Sequence, residues 1–142
     1  MLFRSRGKDP EVALRDGSAL DHWRRMVKAQ GGNPDAPLLK AKENSVITAE
    51  ETGVISAMNA LQVGIAAWRL GAGRERQGEK VQAGAGIEIH AKPGESIKAG
   101  APLFTLHSDE PLRFERAKSA LIGAVTYNKN TERLPLIVTR VD

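Results

Sequence analysis

The sequence predicts an α+β fold of roughly one hundred residues that follows a helical segment. Three observations predict it. Short segments rich in β-branched residues alternate apolar and polar positions, as half-buried strands do. One helix that is apolar on most sides follows the second of these segments. Two glycine turns flank a single apolar residue in the run KPGESIKAGAPLFTL (92–106), which is typical of a compact β-corner.

The start of the chain is predicted to hold a helix and a linker. Apolar residues recur at helical spacing over residues 10–30, with a break just before Ser18. Ser18 is expected to cap the helix that follows, and Gly31 to stop it. Trp23 lies on this amphipathic helix and is predicted to be half-exposed. Residues 33–43 contain two prolines and no periodicity, so they are interpreted as a linker.

Two strands and a buried helix are predicted next. The strands fall at residues 45–48 and 53–58, where β-branched residues are frequent. Asn59 is expected to cap a helix that ends at Gly71, because glycine suits the left-handed conformation after a helix end. Since this helix is apolar on most sides, it is predicted to be largely buried, with Trp68 in the core.

The remainder alternates strands with one more helix. Residues 71–86 contain five glycines and are predicted to form a loop. Two strands, a helix and a last strand are then expected, at residues 86–92, 101–108, 112–127 and 134–141.

Composition excludes several classes of protein. There is no cysteine, and no apolar run approaches the ~18 residues of a membrane span. The net charge of +4 comes mostly from residues 1–43, which hold nine Lys or Arg against six Asp or Glu. Aromatic residues are only 4%, too few for a base-stacking surface. We therefore expect a cytoplasmic protein that binds neither nucleic acid nor membrane.

The chain shows no convincing catalytic or metal-binding pattern. The glycine-rich segment 71–78 follows a helix instead of opening one, which argues against a phosphate loop. His22, His90 and His107 lie on three elements without ligand spacing, and a pair formed by the two strand histidines would lack a third ligand. Ser108 has no nucleophile-elbow motif around it.

The β-corner also resembles the second hairpin of biotinyl and lipoyl carrier domains. Those domains carry their cofactor on a lysine at a hairpin tip. Lys92 and Lys98 lie within the corner itself and lack the flanking residues of such a site. A free-standing binding or carrier module is therefore the alternative, less favoured interpretation.

Three long runs occur in an order that is typical of one family. They are ALRDGSALDHWRRMVKAQGG (13–32), ETGVISAMNALQVGIAAWRLGAGR (51–74) and VQAGAGIEIHAKPGESIKAGAPLFTLHSDE (81–110). The second and third runs resemble the C-terminal domain of thymidine and other pyrimidine-nucleoside phosphorylases, and the first is similar to the helix just before that domain. The related AMP phosphorylases share this domain and remain an alternative.

The resemblance implies a domain organisation. Residues 1–43 would be the last helix and the linker of a preceding α/β domain. Residues 44–142 would be a C-terminal barrel-like (hammerhead) β module with a buried helix and a second helix. Residues 1–7 do not fit the pattern, and one hypothesis is that they are non-native sequence from an incomplete gene assembly.

The resemblance also implies an activity for a longer parent enzyme. Such enzymes convert thymidine and phosphate to thymine and 2-deoxyribose 1-phosphate, with phosphate as co-substrate and no cofactor. The phosphate-binding SGRG motif and the base-binding Arg, Ser and Lys set of the family are not found here. No catalytic, substrate-binding or metal residue is therefore assigned, and the fragment alone is predicted to be inactive. The implied partners are the parent's own α and α/β domains, and the parent would form a homodimer through helices upstream of this chain.

Arg74 is the one side chain singled out, because the family carries an arginine at the same point after the glycines. The favoured interpretation is that its guanidinium caps the preceding helix end. The alternative is that it reaches the α/β domain and forms an interdomain contact.

Overall fold

A computed structural model describes residues 9–74 and 76–128 of the chain. The chain divides into two units, Met1–Leu38 and Leu39–Asp142. Within the described residues, no helix has both the length and the apolar character that crossing a membrane requires. The hypothesis about residues 1–7 and the last predicted strand, at residues 134–141, fall outside the described residues.

The first unit contains two short helices. Helix α1 spans Pro10–Arg15 and helix α2 spans Ser18–Ala29. The Asp9 carboxylate caps α1 by accepting a hydrogen bond from the backbone N–H of Glu11 at 2.9 Å. Trp23 on α2 is half-exposed, as expected.

Helix α2 begins differently from the prediction. Gly17 occupies the cap position with a φ of 81°, so the expected cap at Ser18 is wrong. The backbone N–H of Ser18 instead donates to the Asp16 carboxylate at 2.8 Å. The Asp16 carboxylate thus accepts a hydrogen bond at the helix start, as a hydroxyl cap would. The helix dipole also favours an acid near a helix N-terminus. Gly31, with a φ of 79°, follows the helix end as predicted.

The second unit combines two three-stranded antiparallel sheets with helices. One sheet has the strand order β1-β5-β3 and the other has the order β4-β2-β6. This mixture confirms the α+β prediction, but the described strands form two separate sheets and no closed barrel. The elements are β1 Glu43–Thr48, β2 Gly53–Met58, α3 Ala60–Ala67, a π-helical turn Trp68–Ala72, β3 Gly86–Ile89, β4 Ser96–Ile97, β5 Pro102–Ser108, α4 Arg113–Leu121 and β6 Val125–Asn128.

Strand β5 is central to the first sheet and supplies much of the core. It pairs with β1 on one side and with β3 on the other. Phe104 and Leu106 lie two residues apart, so they point to the same side of the strand, and both are almost completely buried. Other buried side chains come from the second sheet and from the helices: Ile55, Ala66, Leu70, Phe114, Ala117 and Leu121.

The predicted β-corner is present. Gly94 and Gly100 both have a positive φ, 86° and 82°, and so form the two turns that were expected. Their N–H groups donate to the carbonyls of Ile55 and Ala49, both at 2.8 Å. The corner is thereby bonded to strand β2 and to Ala49, the residue that follows β1, and Ile97 between its turns is buried.

Helix α3 begins as predicted. The Asn59 side chain accepts hydrogen bonds from the N–H groups of Leu61 and Gln62, at 3.1 and 3.2 Å. This capping satisfies two of the four N–H groups that a helix start leaves without partners.

The predicted burial of α3 is only partly correct, and the placement of Trp68 in the core is wrong. Ala66 and Leu70 are completely buried, whereas Leu61 is 71% exposed and Trp68 is 38% exposed. The helix packs on α4 with one side, so the apolar residues of the other side have no room in the core. The indole N–H of Trp68 also finds a partner outside the core, the Arg74 carbonyl at 2.9 Å.

The second helix is shorter than predicted. Helix α4 ends at Leu121, and Gly123 with a φ of 70° reverses the chain. Residues expected to continue the helix form β6 instead, which pairs with β2. The β-branched pair Val125 and Thr126 favours this strand pairing over the helical spacing of the apolar residues.

We expect Leu70→Ala to lower the free energy of unfolding by about 2–5 kcal/mol, because it removes a fully buried side chain. Trp68→Ala should cost less, since more than a third of the ring is exposed. Urea unfolding of both variants, followed by circular dichroism, measures the difference. A larger loss for Trp68→Ala than for Leu70→Ala would show that Trp68 contributes to the core more than its exposure indicates.

A second expectation concerns Tyr127, the only tyrosine of the chain. Burial raises its pKa above the ordinary value of 10.0, and the charges of Glu50 and Glu51 act in the same direction, against a backbone hydrogen bond with Glu50. Since the folded protein retains the phenolic proton to higher pH, the linked stability is present below about pH 10 and is lost as the pH rises through the folded pKa. Phenolate absorbance should therefore titrate at higher pH in the folded chain than in urea. Equal midpoints would contradict this.

Candidate functional site: the loop after helix α3

The GAGR loop, residues 71–74, follows the π-helical turn, and both of its glycines are required by close contacts. Gly71 has a φ of 106°, and a Cβ there would lie 2.8 Å from the Gln82 side chain. A Cβ on Gly73 would lie 2.7 Å from Cδ1 of Trp68. The expected left-handed glycine after the helix is confirmed. The loop lies at the negative end of the helix dipole, so it is unsuited to hold a phosphate.

The last carbonyls of the helical segment are capped by Ser108 and Gln82. The Ser108 hydroxyl donates to the Leu70 carbonyl at 2.8 Å, and the backbone N–H of Gln82 donates to the Gly71 carbonyl at 2.9 Å. Ser108 is fully buried at the end of β5. These two residues take the capping role that the sequence favoured for Arg74.

The Gln82 side chain connects this helix end to the start of α4. Its Oε1 accepts from the backbone N–H of Asp109 at 2.8 Å and lies 3.2 Å from the Ser108 hydroxyl. Its Nε2 donates to the Glu110 carboxylate at 2.7 Å. Gln82, Ser108 and Glu110 thus form a polar cluster that extends from the buried Ser108 to the exposed Glu110 carboxylate.

Arg113 extends the polar cluster to the loop that precedes β3. Its Nε lies 3.0 Å from the Glu110 carboxylate, and its Nη2 lies 3.5 Å from the Glu79 carboxylate. The Arg113 side chain is only 17% exposed. Because this ion-paired group is largely shielded from water, its attraction is screened less than that of a surface pair.

The chain just before β1 is fastened to the same region. The backbone N–H of Lys42 donates to the Asp109 carboxylate at 3.0 Å. A Cβ on Gly84 would lie 2.3 Å from the backbone nitrogen of Ala41, so only glycine permits this approach of two backbones. The sequence predicted that residues 41–42 end a linker. In the structure they belong to the second unit and pack on its other residues.

Arg74 presents its side chain to solvent. Its carbonyl accepts the hydrogen bond from the Trp68 indole, but its guanidinium makes no hydrogen bond or ion pair to another residue within 9–74 and 76–128. Because the backbone of Arg74 is held and its side chain is exposed, the guanidinium can bind a group outside the described residues.

The histidines do not form a site. His90 is bonded through Nε2 to the Thr105 hydroxyl at 2.7 Å, while Nε2 of His107 lies 3.7 Å from the Glu88 carboxylate. The two strand histidines therefore have separate partners. Within the described ranges, no group of three or more His, Asp or Glu side chains is placed to hold a metal ion.

The β-corner lysines do not lie at a protruding hairpin tip. Lys98 follows the two-residue strand β4, and the next N–H group, that of Ala99, donates to the Thr52 hydroxyl at 2.9 Å. Lys98 lines a shallow cavity of about 360 Å³ together with Thr52, Gly53, Val54, Ser96 and Ile97. A single lysine among mainly apolar and uncharged neighbours supplies neither a carrier site nor a set of groups for catalysis.

The sequence pattern does not indicate the polar cluster. Ser108 lies outside any nucleophile-elbow motif, and Gln82 lies within the glycine-rich segment 71–86. The one available signal was a serine that ends an alternating apolar strand directly before two acids. That pattern does not reveal which carbonyl the serine would reach, since Leu70 is 38 residues away.

Comparison with known proteins connects these features to one family. The family model described as the pyrimidine nucleoside phosphorylase C-terminal domain matches residues 54–128. The matched stretch includes α3, the GAGR loop, the β-corner, the polar cluster and α4, and it ends with β6.

Individual relatives carry the corresponding names. A thymidine phosphorylase of Mycobacterium tuberculosis is 46% identical over 136 residues, which are 95% of this chain and 32% of that protein. The human thymidine phosphorylase is 33% identical over 114 residues, and the pyrimidine-nucleoside phosphorylase of Bacillus subtilis is 34% identical over 113 residues. The matches cover 70% and 76% of this chain, but only 24% and 26% of those two proteins, so the chain spans about a third of its relatives at most. Because the family model matches more than half of the chain, the chain belongs to the pyrimidine nucleoside phosphorylase C-terminal domain family.

Proposed function

We propose that this chain is the C-terminal part of a thymidine phosphorylase, which converts thymidine and phosphate to thymine and 2-deoxyribose 1-phosphate. The observation that carries the proposal is the match to the mycobacterial thymidine phosphorylase, which covers 95% of the chain at 46% identity. A match of that extent includes both units of the chain, whereas a free-standing carrier module would account only for the β-corner.

The chain by itself is proposed to be inactive. In phosphorolysis a phosphate oxygen bonds to C1′ of the sugar while the bond from C1′ to the base nitrogen breaks, and the departing base takes up a proton. This step needs groups that hold the phosphate and the base in line and that stabilise developing charge. The polar cluster uses its donors and acceptors on itself, and the β-corner cavity offers one lysine. The catalytic groups therefore belong to the rest of the parent enzyme.

The domain is proposed to pack on the parent's α/β domain and to restrain the closure of its cleft. Arg74 is the candidate for an interdomain contact, because its guanidinium projects from a loop whose backbone is held by Trp68, Gln82 and Ser108. A guanidinium forms two parallel hydrogen bonds with a carboxylate, which a lysine ammonium does not reproduce.

The activity is tested on the full-length protein. We expect purified full-length protein to release thymine from thymidine only when phosphate is present. The 142-residue chain should not exceed a no-protein control. Release of adenine from AMP by the full-length protein, without release of thymine, would identify the related AMP phosphorylase activity instead, and thymine release by the short chain would refute its proposed inactivity.

Arg74→Lys in the full-length protein tests the interdomain contact. The loss of a charge-assisted, two-bond contact should lower kcat/KM for thymidine roughly tenfold, while the melting temperature stays unchanged. Arg76 is an exposed arginine two residues further along the chain, so Arg76→Lys is the matched control and should behave as wild type. Full activity of Arg74→Lys and Arg74→Ala would show that Arg74 is an ordinary surface residue.

A further inference from the structure

Trp68 is the largest side chain near the GAGR loop, and it contributes to the loop more than to the core. Its ring is 38% exposed, although the helix that carries it also buries Ala66 and Leu70 completely. Its Cδ1 lies over Gly73, where a Cβ would come within 2.7 Å. Its indole N–H donates to the Arg74 carbonyl at 2.9 Å. The ring thus contacts two consecutive residues of the loop.

The hydrogen bond acts on the residue that carries the exposed guanidinium. The accepting oxygen belongs to Arg74 itself, so holding that oxygen restricts rotation about the Cα–C bond of Arg74. The side chain leaves from the same Cα. Holding the carbonyl near helix α3 therefore restricts the positions open to the Arg74 Cα and, with them, the region that the guanidinium can reach.

The polar cluster does not provide this restraint. Gln82 and Ser108 hold the carbonyls of Gly71 and Leu70, which precede the loop's second glycine. Gly73 has an extended backbone with a φ of −141°, and because glycine has no side chain, it restricts its own φ and ψ little. Among the contacts that Arg74 makes within the described residues, the bond from the indole is the one that reaches beyond the two glycines.

We propose that Trp68 is the positioning residue for Arg74. The hydrogen bond from its indole N–H holds the Arg74 backbone where the guanidinium can reach the interdomain contact. The proposal rests on the function proposed above for Arg74. It explains why a tryptophan occupies a half-exposed helix position where a phenylalanine would fill the same space over Gly73. Tryptophan combines a large flat ring with an N–H donor at its edge, whereas phenylalanine has no donor.

The experiment compares Trp68→Phe with Trp23→Phe in the full-length protein. Trp68→Phe keeps a ring over Gly73 and removes the donor, so kcat/KM for thymidine should fall roughly three- to tenfold, the factor that one hydrogen bond supplies. The melting temperature should stay close to that of wild type. Trp23→Phe changes another half-exposed tryptophan in the same way and should leave kcat/KM unchanged.

A double-variant cycle separates positioning from a general structural effect. If Trp68 acts through Arg74, Trp68→Phe should cause no further loss in an Arg74→Ala background. An equal loss in both backgrounds would overturn the proposal. A normal Trp68→Phe variant beside an impaired Arg74→Ala variant would also overturn it, while leaving the proposed role of Arg74 intact. A fully active Arg74→Ala variant would instead remove the proposed role of Arg74 and the positioning role with it.

Hydrogen exchange of the two indole N–H groups gives a readout that does not depend on activity. In the 142-residue chain, the Trp68 indole should exchange more slowly than the Trp23 indole, which makes no hydrogen bond to another residue in the described ranges. Equal exchange rates would show that the bond to Arg74 is not formed and would overturn the proposal.

Discussion

The hydrogen bond from the Ser108 hydroxyl to the Leu70 carbonyl joins the central strand of one sheet to the end of the helical segment. Both groups are buried, and a helix-end carbonyl left without a partner there would cost about 1–3 kcal/mol. The bond therefore determines where the chain leaves the helix. The position of Gly71, and of the loop that follows, depends on it.

The side chains of the polar cluster around this bond interact mainly with one another. Gln82 joins the backbone of Asp109 to the carboxylate of Glu110, and Arg113 pairs with that carboxylate and with Glu79. Low dielectric strengthens the buried bonds of the cluster, those of Ser108, more than the bonds of the exposed Glu110. The cluster is thus suited to hold a loop and is poorly suited to bind a substrate, because most of its donors and acceptors bond to one another.

The two sheets and α4 show where tertiary packing overrode local preference. Helical spacing continued to Tyr127, but Gly123 and the pairing of Val125–Asn128 with β2 end the helix at Leu121. A short strand gains both ladder hydrogen bonds and cross-strand contacts from such pairing, and its own sequence does not encode them. Likewise, the family resemblance suggested a barrel-like module, whereas the described strands pair into two separate sheets.

The sequence alone determined the features that depend on neighbours within a few residues. The Asn59 cap and the left-handed Gly71 were predictable because a cap and a positive φ are local properties of the chain. Tertiary structure decided which side of α3 is buried, and so it placed Leu70 in the core and left Trp68 half-exposed. It also decided the partner of Ser108, since a hydroxyl and a carbonyl 38 residues apart meet only when strand and helix pack together. The apolar composition of a helix indicates how much of its surface can be buried, but the packing of neighbouring elements decides which side is buried.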